Sequence, residues 1–360
     1  MTLDDGRCKV CCMPPTRPDT PFDGGICQAC INHEARKHID WDWRATKLQE
    51  LLDSYHGEVA VASSGGKDSH AIALKLLELG CHVTLITATT CAPTPLGRKN
   101  IANLARFAKT VEVTQNTHVR KTLNRLGLQM VGDISWPEHA TIFTVPIRVA
   151  REMGIKLLFY GESPQAEYGG PLGSETAMGM GSGWAAEFGG FLGLRAKDLV
   201  GLEGLTHQDL EDYIPLPAKV FDDVAVQFLG QYMPWDSWAN AAVAVSHGME
   251  WRLPVESNLW AHENLDNYQT GLHDWFMFLK YGYGRGCMQA SVDVRSGRVE
   301  RASMLEWVKL FDGRFPSVYM GQKVKWILAE IGLSPADLLE VAARYNTQGE
   351  GALRALKGML

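Results

Sequence analysis

The chain has 360 residues, 46% of them hydrophobic and 21% charged, with a formal net charge of −6. That is ordinary material for a folded chain of about two domains, and it gives no electrostatic reason to expect a nucleic-acid backbone as main partner. No apolar run reaches the ~18 residues needed to cross a bilayer. The start "MTLDDGRCKVCC" is polar and Cys-rich, unlike a signal peptide, so a cytoplasmic setting is expected. There the eight cysteines serve as metal ligands or thiols rather than disulfides.

The first feature in chain order is a pair of CxxC knuckles, Cys8-x2-Cys11 and Cys27-x2-Cys30, fifteen residues apart. This is four-thiolate metal spacing, and the Pro- and Gly-rich linker suits a metal-stapled loop with little core of its own. Zinc is the expected ion. Spacing alone leaves an iron–sulfur cluster open, and the adjacent Cys12 is an alternative ligand to Cys11. "NHEARKHIDWDWRATKLQELLDSYHG" then reads as a helical connector, packed down by Trp41 and Trp43 and ended by Gly57.

From residue 58 short apolar strands alternate with helices. "EVAVASS", "HVTLITAT", "VEVTQ" and "IKLLFYGES" are strands; "DSHAIALKLLEL", "GRKNIANLARFAK", "HVRKTLNRLG" and "ATIFTVPIRVAREMG" are helices, the last broken or kinked near Pro146. Such alternation predicts right-handed βαβ units and a parallel sheet with helices on both faces. Ligands bind such sheets at the strands' carboxyl ends, so the loops after Ser64, Ala88 and Tyr160 should share one crevice.

The first of these loops reads Ser64-Gly65-Gly66-Lys67-Asp68-Ser69. A Walker A loop fails here twice: Asp68 follows Gly66-Lys67, and Val61 stands where the earlier Gly is needed. A GxGxxG turn is absent as well. What remains is an anion cradle. Gly65 and Gly66 let the backbone approach, and the helix N-terminus offers N–H groups. Ser64 and Ser69 add hydroxyls, Lys67 adds charge, and Asp68 orients Mg²⁺ or caps the helix.

This motif resembles the PP-loop of the ATP pyrophosphatase superfamily. The resemblance implies a PP-loop (HUP-like) α/β fold, ATP cleaved between its α and β phosphates, and AMP passed to a carbonyl oxygen. "CKVCCMPPTRPDTPFDGGICQAC", "VRKTLNRLGLQMVGDISWPEH", "GESPQAEYGG" and "ENLDNYQTGLHDWFMFLKYGYGR" are further similar to blocks of the N-acetyl sugar amidotransferases. Those enzymes convert an acetamido group to an acetamidino group during surface polysaccharide (lipopolysaccharide) biosynthesis. The implied cofactors are ATP, Mg²⁺ and Zn²⁺. The implied nitrogen source is ammonia from a separate glutaminase subunit, since no Cys follows Met1 and no G-x-C-x-G elbow occurs. The implied substrate is an N-acetyl sugar, nucleotide-linked or not; a homodimer is compatible with all this.

The resemblance puts Gly161 and Glu162 in the nucleotide cleft, and Glu167 near Mg²⁺ or substrate. Lys280 and Arg285 are candidates for the departing pyrophosphate, where fixed cations stabilise developing charge. His139 is a candidate acid or base, and His273 shares a helical face with Lys280. "ENLDN" at 263–267 reads mainly as helix-capping residues. The Gly- and Met-rich 168–195 reads as a lid or a surface insertion. From 205 onward the pattern is mainly helical, with Ser334-Pro335 opening one helix. The expected organisation is a metal segment (1–40), an ATP-binding α/β domain (41–204) and a helical acceptor-covering region (205–360). The competing class is a PP-loop enzyme acting on a nucleobase, by tRNA thiolation or by deazapurine amidation or nitrile formation. The isolated Cys81, Cys91 and Cys287 form no further CxxC to carry sulfur.

Overall fold

The computed structural model describes residues 6–18, 20–161, 163–170, 178–181, 192–253 and 256–359. Its centre is a six-stranded sheet, in spatial order Lys109–Val113, His82–Ala88, Glu58–Ala62, Leu157–Tyr160, Ala225–Phe228 and Gly179–Met180. The first five run parallel and the last is antiparallel. The chain starts in the middle, winds out through His82–Ala88 to Lys109–Val113, then crosses to the other side. The switch point lies between Glu58–Ala62 and Leu157–Tyr160, where open α/β sheets place their ligands.

Both faces of the sheet are buried, because alternate residues along each strand enter different cores. Val59, Val61, Val83, Leu85, Leu157 and Phe159 pack on one side with Leu48 and Leu52 of helix Trp41–Ser54 and Ile72 and Leu76 of helix Lys67–Glu78. Ala60, Ile86 and Leu158 pack on the other with Ile147 and Ala150 of helix Trp136–Glu152. That helix continues through Pro146 rather than breaking there. Pro146 has no N–H for the Ile142 carbonyl four residues earlier, and the Tyr160 hydroxyl donates to that carbonyl instead, at 2.7 Å.

Three local expectations are corrected. In the stretch from 205 onward, expected to be mainly helical, helix Ala218–Asp223 gives way to strand Ala225–Phe228. Val224, Val226 and Phe228 are all buried in the sheet's second core, a period of two that overrides the helical pattern. In the same expected-helical stretch, residues 206–214 contain only the short 3₁₀ turn Glu211–Tyr213. The connector is two helices, Gln28–Arg36 and Trp41–Ser54, divided where Asp40 caps the second by accepting from the Trp43 N–H at 2.9 Å. Trp43 is 54% exposed, while Trp41 lies under the Arg36 guanidinium.

The C-terminal region is mainly helical as expected. Helices Thr270–Tyr281, Val324–Glu330 and Pro335–Tyr345 share a core with Leu128 and Ile134. Ser334 and Asp337 form a reciprocal capping box at the start of the last. The Cys-rich segment packs on helices Arg285–Arg295 and Arg301–Phe311, in a core with Tyr283, Cys287, Met288, Leu305 and Val308. The N-terminus thus braces the far half of the chain as well as the short helix Pro164–Tyr168, whose Gln165 carbonyl accepts from Asn32.

Candidate active site

A cavity of about 620 Å³ opens at the carboxyl ends of the parallel strands. Ser63 and Ser64, Ala88 and Thr89, and Tyr160 and Gly161 all border it, so the three loops share one crevice as expected. Its deeper wall is apolar, with Ile72, Ile86, Ile101, Phe143 and Phe228. A second cavity of about 270 Å³ joins it through Ser64, Asp68, Gly97 and Asp266 and is bounded by Gly65, Gly66, Lys67, His262, Glu263 and Arg285.

The Ser64–Ser69 loop lies between the two. Gly65 has φ +76°, and a Cβ there would fall 2.6 Å from Ile101 Cγ1 and 2.8 Å from the Ile101 backbone N. Only glycine fits both the conformation and the approach of helix Pro95–Leu104. Helix Lys67–Glu78 starts at Gly66, which has no side chain to cap it, and the Gly65 and Gly66 N–H groups make only long bonds to Ser63 and Ser64 Oγ, at 3.3 and 3.4 Å, which an anion could displace. Ser69 Oγ accepts from the Ser64 N–H at 3.0 Å and closes the loop. His70 steadies it from behind, its ring bridging the Gly66 carbonyl and Asn103.

Lys67 is 6% exposed. Its ammonium lies 2.6 Å from Asp68 Oδ2 and 2.9 Å from Glu263 Oε1. Asn240 donates to Asp68 Oδ1 at 2.9 Å, and Gln289 to Glu263 Oε2 at 2.9 Å. Burial raises the Glu263 carboxyl, but Lys67, Arg285 and the Gln289 hydrogen bond outweigh it and hold it at about 2. Arg285 is 3.3 Å from Asp274 Oδ1, and these acids push its already high pKa further up against the effect of burial. The result is a cluster of fixed charges around the small cavity, with two cations that an anionic ligand would meet.

Glu263, expected mainly to cap a helix, is instead a second acid on Lys67. Its neighbour His262 carries no motif that marks it in the sequence. It is 2% exposed, packed between Trp238 and Trp260, and neither ring nitrogen has a hydrogen-bond partner among the described residues. Burial, then the charge of Lys67, lower its pKa to about 4, so it faces the cavity as neutral imidazole.

Other candidates are placed elsewhere. Glu167 lines a separate cavity between helices Gln28–Arg36 and Arg285–Arg295, 3.9 Å from Arg295. The short helix Pro164–Tyr168 turns it away from the loop and brings Tyr168 to the small cavity instead. Lys280 borders neither cavity at the loop; it donates to the Val131 carbonyl at 3.3 Å and stacks over Tyr281, and burial lowers its pKa. Glu162 and most of the Gly- and Met-rich stretch lie outside the described residues. His139 and His273 meet around Asp133, and none of the three lines either cavity at the loop.

Cys8, Cys11, Cys27 and Cys30 are all buried and their sulfurs converge. Cys8 and Cys30 Sγ are 3.8 Å apart, Cys11 and Cys27 Sγ 3.6 Å. A tetrahedral ion with Zn–S bonds of about 2.3 Å has sulfur–sulfur edges of about 3.8 Å, so the four fit zinc. Backbone N–H groups of Val10 and Cys27 point at Cys8 Sγ, as around a thiolate. Cys12 is not among the four; burial and nearby Cys11 push its thiol up to about 12. Arg301 donates to the Cys8 and Cys11 carbonyls and ties the knuckle to the helical region.

Comparison with known proteins matches residues 262–350, the segment bearing His262, Glu263 and Arg285, to the family described as "LPS biosynthesis protein WbpG-like, C-terminal domain". No curated protein matches the chain. Among solved structures the chain is similar to "the crystal structure of predicted subunit of tRNA methyltransferase" from Methanocaldococcus jannaschii. That similarity is at 17% identity and a TM-score of 0.27, covering 57% of this chain and 82% of that one.

Proposed function

We propose that the chain is an ATP-dependent, AMP-forming amidotransferase that acts on the acetamido group of an N-acetyl sugar in lipopolysaccharide biosynthesis. The observation that carries this reading is the glycine loop at the switch point. It sits between an apolar cavity suited to a nucleoside and a small charged cavity suited to phosphates. The WbpG-like match over 262–350 supports the lipopolysaccharide setting.

An amide carbonyl is a poor electrophile. In this reading its oxygen attacks the α-phosphorus of ATP and pyrophosphate leaves. Ammonia then adds at the carbon and AMP departs with the former carbonyl oxygen, leaving an amidine. The backbone N–H groups at Gly65, Gly66 and Lys67 would hold phosphate oxygens. Lys67 and Arg285 would take up the charge that develops on pyrophosphate. Asp68, with Glu263 beside it, would hold Mg²⁺ through oxygen ligands. Neutral His262 would donate one hydrogen bond without adding charge. Glu167, Lys280 and Glu162 have no step in this scheme. A separate glutaminase subunit would deliver ammonia.

The test is ATP turnover with ammonium and a panel of nucleotide-linked N-acetyl sugars. AMP and pyrophosphate should form only with a sugar present, and Lys67→Ala should abolish both. AMP release with a tRNA or deazapurine acceptor and none of the sugars would overturn the reading.

A further inference from the structure

Outside the nucleotide crevice and the cysteine knuckle, one other cluster of potential metal ligands is present among the described residues: Asp133, His139 and His273. Three separate elements deliver it. Asp133 lies in the turn after helix Thr117–Val131, which Gly132 ends in the left-handed conformation. His139 is in the first turn of helix Trp136–Glu152, and His273 in the first turn of helix Thr270–Tyr281. The two histidines are 134 positions apart in sequence, yet their rings are 5.0 Å apart, edge to face at 75°.

Both rings turn the same nitrogen, Nδ1, to the one carboxylate. His273 Nδ1 is 2.8 Å from Asp133 Oδ1 and His139 Nδ1 is 3.1 Å from Oδ2. Nitrogen and oxygen bonds of about 2.0–2.1 Å to one ion, at angles of 90–109°, put neighbouring ligand atoms about 2.9–3.4 Å apart. The two measured contacts, one to each carboxylate oxygen, are close to that range, and the three residues offer ligand atoms that all lie within 4.8 Å of one another. The His139 contact is the informative one. Its Nδ1 is buried and, despite the 3.1 Å approach, has no aligned hydrogen-bond partner. A contact this poorly aligned leaves the ring nitrogen available to an ion that the same carboxylate could share.

Asp133 is 2% exposed, and the Ser135 N–H donates to its Oδ1 at 2.8 Å, an outer contact of the kind that orients a ligating carboxylate. The histidine side chains keep 28% and 19% exposure, so water can reach the remaining positions. Glu138, in turn, is committed to Arg120, Asn124 and the Cys91 N–H and is not a fourth ligand.

We propose that Asp133, His139 and His273 form a second metal site, an open two-histidine, one-carboxylate site for a first-row divalent cation of the Zn²⁺, Co²⁺ or Fe²⁺ type. Two imidazoles exclude Mg²⁺ and Ca²⁺, which take oxygen ligands. The donor set also differs from the thiolate knuckle, so the two sites are separable by chemistry. The site does not depend on which acceptor the enzyme uses.

The experiment is metal counting on the full chain. After saturation with Zn²⁺ and removal of loose ion, wild type should hold two equivalents by elemental analysis; His273→Gln and Asp133→Asn should hold one. Co²⁺ gives a reading that needs no variant. One equivalent should show the near-ultraviolet thiolate charge-transfer band of the cysteine site, and a second should add visible d–d absorption without that band. One equivalent in wild type, all of it thiolate-bound, would overturn the proposal and leave a hydrogen-bonded triad only. Two equivalents retained by both folded variants would overturn it equally.

Discussion

Replacing Glu263 by Gln tests the charge arrangement around the glycine loop. The carboxylate is held at about 2 instead of its ordinary 4.5 because Lys67 and Arg285 outweigh burial. With a depressed folded pKa, its stabilisation is present above the unfolded value and is lost as pH falls from about 4.5 through about 2. The difference corresponds to about 3 kcal/mol at pH 7, falling to about 1.5 kcal/mol at pH 3, and the side chain's 14% exposure leaves little screening to discount. Lys67 keeps Asp68 in the variant, so about 2–3 kcal/mol at pH 7 is the expected loss, below the 3–5 kcal/mol of a fully broken buried pair. Urea unfolding followed by tryptophan fluorescence at both pH values reads this directly. A variant equally destabilised at pH 7 and pH 3, or no less stable than wild type at pH 7, would refute the reasoning.

Three other changes probe different parts of the molecule. Gly65→Ala forces a Cβ into the Ile101 backbone at positive φ and should cost about 1–3 kcal/mol in strain; calorimetry should show a lower Tm, and equilibrium dialysis little ATP binding. Tyr160→Phe removes the donor to the Ile142 carbonyl that Pro146 leaves unpaired. Because water reaches that edge, the loss should be about 1 kcal/mol in denaturant unfolding. Stripping the cysteine site with a strong chelator should free the N-terminal segment from Arg301 and lower Tm, with protease cleavage appearing first within residues 6–36; an unchanged digest would contradict a structural role.

What the sequence made legible was local. Val59, Ala60 and Val61 run apolar into Ser-Ser-Gly-Gly, and a strand ending in a glycine turn before a helix needs only neighbours to be recognised. The four cysteines were equally plain, since spacing alone sets which sulfurs a turn can present. Strand 225–228 is not legible because Ala-Val-Gln-Phe, following the helix-forming residues 219–223, is too short to mark its period; the burial of Val226 and Phe228 comes from the sheet. Glu263 and Asp133 were lost for a different reason. Their roles arise from partners 196 and up to 140 residues away, Lys67 and His273, which no spacing rule connects. Glu167 shows the converse: its motif was visible, but the direction of a five-residue helix was not.

The most direct test of the proposed chemistry follows the oxygen. An N-acetyl sugar substrate labelled with ¹⁸O in the acetamido carbonyl, incubated with the protein, Mg-ATP and ammonium, should yield AMP carrying ¹⁸O in its phosphate and a sugar whose carbonyl oxygen has been replaced by NH. Unlabelled AMP, or a sugar that keeps its ¹⁸O while ATP is consumed, would contradict adenylation of the amide.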